Sequence, residues 1–426
     1  MTMKKIFNFM AIVASAAMVF ACSAEGLGDA DYYGEKGGMP DSAGMPAEGV
    51  SDSSDPSNPS EGDNDSRAGR VTAGEWNDLD NWQFWGGLML SQGDDDASKI
   101  EDGDYYEGNG SFYQYCPYWK FYTNNRVAVN VTSGGAPAAG VKVVLKMDGK
   151  PVWSAVTDNL GQANCWIGLY EETTLPETAV LTISLDGKDQ AEAPEVTGWA
   201  SEQTIYNTYE VSKSVTDRKA DIAFIVDATG SMGDEIDFLK SDLLDIFKKV
   251  KNLQAGTDIR VAALFYRDEG DAYVTKSKNF TSDISKISSY VDEQSASGGG
   301  DYPEAVHTAL EKGLQDLSWD ESARSKIVFM LLDAPAHHND NVIKSLQSSI
   351  EAYAKAGIKI IPVAASGVDK NTEFMLRFFA VSTSGTYVFL TNDSGIGGDH
   401  IQASVGEYEV ELLGELIVRL IDKYLD

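Results

Sequence analysis

The chain has 426 residues, too many for one ordinary domain, so two or more folded units are expected. With 34 basic residues against 66 acidic ones its formal net charge is −32, and such a chain repels nucleic acid and anionic membrane surfaces alike. Three cysteines exclude both a disulfide-rich miniprotein and a four-cysteine zinc site.

At the amino terminus, Lys4 and Lys5 precede an apolar run from Ile6 to Ala21, which suits a signal-peptide core better than a membrane span. The run closes Val19-Phe20-Ala21-Cys22, and a small residue directly before a cysteine resembles the lipobox of bacterial lipoproteins. That resemblance implies a signal peptide over 1–21, cleavage before Cys22, and acylation of its thiol and new amine. It also implies an extracytoplasmic protein of the cell envelope, at the outer membrane or cell surface, that meets the membrane through lipid alone. Several acyl chains anchor stably where one binds marginally, so no basic surface is required. Disulfides persist outside the cytoplasm. With Cys22 consumed by lipid, Cys116 and Cys165 are the expected disulfide, and two buried free thiols are its rival.

Residues 22–70 are expected to form a disordered acidic tether. Within 23–66, twenty of 44 residues are Gly, Ser or Pro, eleven are acidic and one is basic, which leaves too little apolar surface to offset the entropy of ordering. Residues 71–122 carry Trp76, Trp82, Trp85, Trp119 and many Tyr among Gly and Asp, and are expected to be an irregular aromatic-rich region packed on its neighbour. From 123 to 212 the pattern is β. Val127, Val129 and Val131 alternate with Ala128 and Asn130, as Leu181, Ile183 and Leu185 do with Thr182 and Ser184. Asp148-Gly149 and Asp186-Gly187 signal hairpin turns. The stretch Thr157–Ala163 resembles the T-D-x-x-G-x-A segment of transthyretin-like and bacterial Ig-like domains, which implies a small β-sandwich serving as a spacer.

Beyond 218 the pattern changes again. Ile222–Val226, Val261–Tyr266, Ile327–Leu332 and Ile358–Ala364 are continuous apolar runs, as buried parallel strands are. Val306, Ala309, Leu310, Gly313, Leu314 and Leu317 share one helical face, and so do the apolar residues from Leu412 to Tyr424. Tyr273–Phe280 reads as an antiparallel edge strand. Alternation of strands and helices over 218–426 predicts an α/β, doubly wound, mostly parallel sheet.

Such sheets bind ligands beyond the carboxyl ends of their strands. Three loops place oxygen donors there: Asp227-Ala228-Thr229-Gly230-Ser231-Met232, Gly298-Gly299-Gly300-Asp301-Tyr302-Pro303-Glu304 and Asp333-Ala334-Pro335. Three carboxylates (Asp227, Asp301, Asp333) and two hydroxyls (Thr229, Ser231) suit one hard divalent cation, Mg²⁺, Mn²⁺ or Ca²⁺. Pro303 is expected to begin a helix, with Asp301 near its N-cap. The residues resemble a von Willebrand factor type A (vWA) domain and its metal-ion-dependent adhesion site. The D-x-S/T-x-S pattern is met by Asp227, Thr229 and Ser231, and the late aspartate by Asp333. Asp301 stands where that family usually has Thr. A subgroup carrying D-x-T-G-S-M, Y-R-D, G-G-G-D-x-P-E and D-A-P-x-H is matched at all four motifs, with Tyr266-Arg267-Asp268 and Asp333–His337 as the second and fourth. Arg267 and Asp268 are expected to support the site without ligating. His337 and His338 are expected as exposed loop residues, and His307 as a surface one.

The resemblance implies a binding protein that presents its cation site to a protein or glycan, with no catalytic residue. An added carboxylate at Asp301 argues against integrin-like capture of an acidic side chain. An envelope assembly component with a structural cation is the alternative. A metal-assisted hydrolase using Asp301 or Glu304 as base ranks below both.

Overall fold

A computed structural model describes residues 71–90, 112–212, 214–394 and 400–426. The expected signal peptide, Cys22 and the tether lie outside the described residues. The first described strand, β1 (Thr72–Trp76), leads into two short helices, α1 (Trp82–Leu90) and α2 (Tyr115–Trp119). Eight strands follow: β2 (Arg126–Ser133), β3 (Ala136–Pro137), β4 (Lys142–Met147), β5 (Lys150–Val156), β6 (Gln162–Trp166), β7 (Leu181–Leu185), β8 (Lys188–Asp189) and β9 (Tyr206–Glu210). They make two four-stranded sheets, β3-β2-β6 with β9 paired on β2, and β5-β4-β7-β8. Val127, Val129 and Val131 of one sheet and Val143, Leu145 and Ile183 of the other share a single buried core. The β4–β5 and β7–β8 turns place Asp148, Gly149, Asp186 and Gly187 at φ 50, 77, 47 and 82°, the left-handed pair that a two-residue hairpin demands.

The remaining chain alternates strands and helices: β10 (Lys219–Asp227), α3 (Gly233–Leu253), β11 (Asp258–Tyr266), β12 (Thr275–Thr281), α4 (Ile284–Asp292), α5 (Val306–Gln315), β13 (Ser325–Leu332), α6 (Asp340–Ala356), β14 (Ile358–Ala364), α7 (Lys370–Ser382), β15 (Tyr387–Leu390), β16 (Glu411–Leu412) and α8 (Leu413–Leu425). Their sheet runs β12-β11-β10-β13-β14-β15-β1-β16. The five strands from β11 to β15 are parallel, while β12 and β1 pair antiparallel to their neighbours. Side chains alternate between two cores. Ile222, Phe224 and Val226 face α3, α4 and α8 in one core; Ala223 and Ile225 join α5, α6 and α7 in the other, which runs on into the smaller sheets. Among the described residues no helix is long and apolar enough to cross a membrane.

Two expectations are corrected here. The region 71–122 supplies β1, whose Ala73 pairs with Leu390 and Glu411 deep in the large sheet. Gly74 is required in it, since a Cβ there would come within 2.7 Å of the Phe389 and Tyr408 rings. The α/β fold therefore begins at β1, and the two small sheets are an insertion between β1 and β10. The described stretch around α2 docks on α7: Phe121 stacks on Phe378 at 3.9 Å, and Trp119 Nε1 donates to Asn371 Oδ1 at 2.7 Å. Cys116 and Cys165, expected as a disulfide, are free and buried. They sit on different elements, α2 and β6, and Cys116 turns its sulfur to Met89 Sδ at 3.8 Å. Burial pushes both thiols well above the usual range, and they pack as small apolar groups.

Candidate functional site

β10 connects outward to β11 on one side, while β13 proceeds to β14 on the other. The strand order therefore reverses between β10 and β13, and their carboxyl ends flank a crevice. Asp227 closes β10 and Asp333 follows β13 directly, so the two carboxylates stand on adjacent strands at this switch point.

Asp227 is fully buried. Its Oδ1 accepts from the Thr229 backbone N–H at 2.8 Å and from Thr229 Oγ1 at 2.7 Å, while Oδ2 has no partner. Asp333 is 6% exposed, Ser231 lies beside it, and its Oδ1 is also unpartnered. Burial raises both carboxyls. Asp227, which also feels the charge of Asp333, is pushed up to about 7. Thr229 is buried and Ser231, in the 3₁₀ turn that leads into α3, is exposed.

The glycine loop closes over this turn. Gly230 N–H donates to Gly298 O at 3.1 Å and Ser297 N–H to Ala228 O at 3.0 Å. Gly298 (φ 87°) must be glycine, since a Cβ would lie 2.5 Å from the Asp271 carboxylate. Helix α5 starts only at Val306, with Ala305 as its N-cap, so Asp301 does not cap it. Asp301 is exposed, and among the described residues no hydrogen bond or ion pair holds it. Glu304 takes the inner position instead. Its N–H donates to Pro335 O at 2.8 Å, it bridges to Ala336, and it is 4% exposed with Oε2 unpartnered. Burial and the charges of Asp227, Asp268 and Asp333 push it up to about 9. The buried Tyr266 hydroxyl lies beside Asp227, and burial together with the Asp227 charge raises it well above its ordinary range.

Arg267 donates from Nε to Ala228 O at 3.0 Å and from Nη2 to Ser295 O at 2.8 Å, tying the first loop to the glycine loop. Asp268 meets His337 Nε2 at 2.6 Å. His338 stacks on Tyr118 at 3.6 Å and shares its Nε2 with Tyr118 O at 2.9 Å. Neither histidine is the free loop side chain expected, because the loop after β11 and the docked aromatic segment supply partners from far away in sequence. His307 is half-buried near Glu269, and burial lowers it. Glu235, in the first turn of α3, is a further buried carboxyl pushed up to about 7 by burial.

Among the described residues no three His, Cys, Asp or Glu side chains form a metal cage by themselves. The donor set at the crevice is two carboxylates with two hydroxyls. Asp227 Oδ2 and Asp333 Oδ1, buried and unpartnered, are the signature of a place that a cation would complete, since an unpaired buried carboxylate oxygen is costly. The residues present therefore fit a hard divalent ion.

A sequence family described as the von Willebrand factor A domain matches residues 221–395, so this part of the chain carries a vWA domain. Among curated proteins, the putative ariadne-like RING finger protein R811 of Acanthamoeba polyphaga mimivirus is 36% identical over 121 residues, covering 28% of this chain and 12% of that protein. Alpha-protein kinase vwkA of Dictyostelium discoideum is 25% identical over 170 residues, covering 39% and 26%. The chain thus spans only 12% and 26% of these relatives' lengths. Among solved structures, protein BatB of Bacteroides thetaiotaomicron is similar at 13% identity and TM-score 0.34, over 48% of this chain and 98% of that one. The pilus adhesin SpaC of Lactobacillus rhamnosus GG is similar at 11% identity and TM-score 0.36, over 60% and 34%.

Proposed function

We propose that the protein is a lipid-anchored, extracytoplasmic binding protein whose vWA domain engages a protein or glycan through a divalent cation. The observation that carries this reading is the pair of buried, unpartnered carboxylate oxygens, Asp227 Oδ2 and Asp333 Oδ1, at the switch point of the sheet. Asp227, Thr229, Ser231 and Asp333 would hold the cation, which supplies a Lewis-acidic point for a ligand oxygen. Thr229 orients Asp227 through its two hydrogen bonds, and Ser231 stands beside Asp333. Arg267 keeps the two loops together. Glu304 adds a third buried carboxyl beside them, and Asp301 is left on the exposed rim. A crevice this rich in carboxylates repels an acidic ligand group, so a neutral oxygen, such as a sugar hydroxyl or a backbone carbonyl, is the donor it favours. The reading requires no catalytic residue.

Calorimetric titration of chelated protein with Mg²⁺, Mn²⁺ and Ca²⁺ tests the site. Saturable binding of at least one ion that disappears in Asp227→Ala is expected; no heat with any of the three sinks the reading. Crosslinking in cells, with and without chelator, tests the partner, and recovery of only sister copies would favour the assembly role. Cys22→Ser should release the protein from the membrane fraction, and unchanged fractionation contradicts lipidation.

A further inference from the structure

The opposite end of the sheet holds a second feature, independent of the cation site. A cavity of about 570 Å³ opens in the seam between the inserted sheets and the α/β fold, at the amino ends of β13 and β14. That volume is in the range of small-molecule sites, which favour domain boundaries. Its lining is basic in an acidic protein: Lys142, Arg324, Lys326, Lys355 and Lys359 face only Asp158 and Glu321. Lys359 is already neutralised, donating to Asp158 Oδ2 at 3.0 Å and to Ser384 O at 2.8 Å. For Lys142, Lys326 and Lys355 no carboxylate lies within ion-pair distance among the described residues.

The floor of the cavity is built from buried polar groups. Lys326 is 8% exposed, and its amine donates only to Ala323 O, at 3.1 Å. Burial lowers it from the usual amine range, against the opposing pull of the Asp221, Asp320 and Glu321 charges, none of which pairs with it directly. Arg324 gives Nη2 to Asp426 O at 2.8 Å, but its buried Nε has no partner. Ser382 is 1% exposed, and its hydroxyl is unpartnered as well. Apolar side chains, among them Val156, Val215, Trp319 and Ala352, complete the walls. Unsatisfied donors beside several cations that have no direct carboxylate partner suit an anion with several acceptor oxygens.

We propose that this seam cavity binds a small organic oxyanion, phosphorylated or polycarboxylate, through Arg324, Lys326, Lys355 and Ser382.

Pyrophosphate and citrate serve as probes, titrated calorimetrically into the full chain at constant ionic strength. Metal is removed beforehand on a resin-bound chelator and no free chelator is left in solution, so that neither probe acts by withdrawing cations and no polycarboxylate chelator competes for the cavity. Saturable binding of either probe is expected, and the tighter one identifies the oxyanion class. Lys326→Met should weaken it by about tenfold or more, the loss of one charge-assisted contact. Lys355→Gln, at an exposed rim position, keeps the test valid should Lys326→Met misfold; it should weaken binding severalfold with an unchanged melting temperature. Asp227→Ala should leave the affinity unaltered, which separates this cavity from the cation site. No saturable heat with either probe, or wild-type affinity in Lys355→Gln, overturns the proposal.

Discussion

Two buried charge clusters in this protein have opposite constitutions. Arg377, on α7, is fully buried and donates to Asp78 from Nε at 2.9 Å and from Nη2 at 2.5 Å, and to Glu373 from Nη1 at 3.3 Å. Lys370 closes the same group on Glu373 at 2.8 Å. Two acids meet two bases, and the cluster is complete without any guest. At the crevice, Asp227, Asp333 and Glu304 are as deeply buried, yet each retains an unpartnered oxygen and none has a basic partner in ion-pair contact. A finished ion cluster pins the segment carrying β1 and Asp78 onto α7. An unfinished one is a place where binding energy is still to be gained.

The contrast can be broken from either side. Arg377→Met should be the most damaging change, because it leaves the buried Asp78 without a cation and Glu373 with Lys370 alone; a loss of about 3–5 kcal/mol is expected in urea unfolding. A cost below about 1 kcal/mol would show that the cluster is not a fastener. On the unfinished side, adding the preferred cation to chelated protein at about 100 times its dissociation constant should stabilise by about 2.7 kcal/mol. Asp227→Asn should abolish that gain while leaving the cation-free protein as stable as wild type or more so, since it removes a buried charge instead of stranding one.

The pH dependence sharpens the same point. Asp227 is pushed up to about 7 and Glu304 to about 9, both above their ordinary values. A carboxyl raised by folding favours the folded state while it is protonated. The cation-free protein should therefore be relatively stable near pH 5 and lose stability as pH rises through about 7 towards 9. Cation should repair the deficit, so its stabilising effect should grow with pH; melting curves with EDTA and with Mg²⁺ at pH 5, 7 and 8.5 measure this. Smallest of all, Asp301→Asn should shift stability by less than about 0.5 kcal/mol, as befits an exposed side chain with no partner.

The parallel strands were legible because a strand buried on both faces must be apolar throughout, as Ile222–Val226 and Ile327–Leu332 are. The first and last site aspartates were legible because they end such runs. Glu304 was not. Pro303 resembles a helix start, yet the chain first makes a bridge to Ala336, a pairing set by the distant β13 loop, and only then turns helical at Val306. β1 was hidden for a related reason. Thr72–Trp76 contains Gly74 and a single fully buried side chain, Ala73, and its partners lie more than 300 residues away. His337 and His338 drew their partners from Asp268 and Tyr118, which no local spacing announces.

The insertion of the two small sheets between β1 and β10 fixes the path of any mechanical load. A pull on the chain ahead of residue 71 arrives first at β1, held between β15 and β16, and at Asp78 beside Arg377. Tension would thus be borne by the half of the molecule that contains the crevice, with the inserted sheets lying off the line of force.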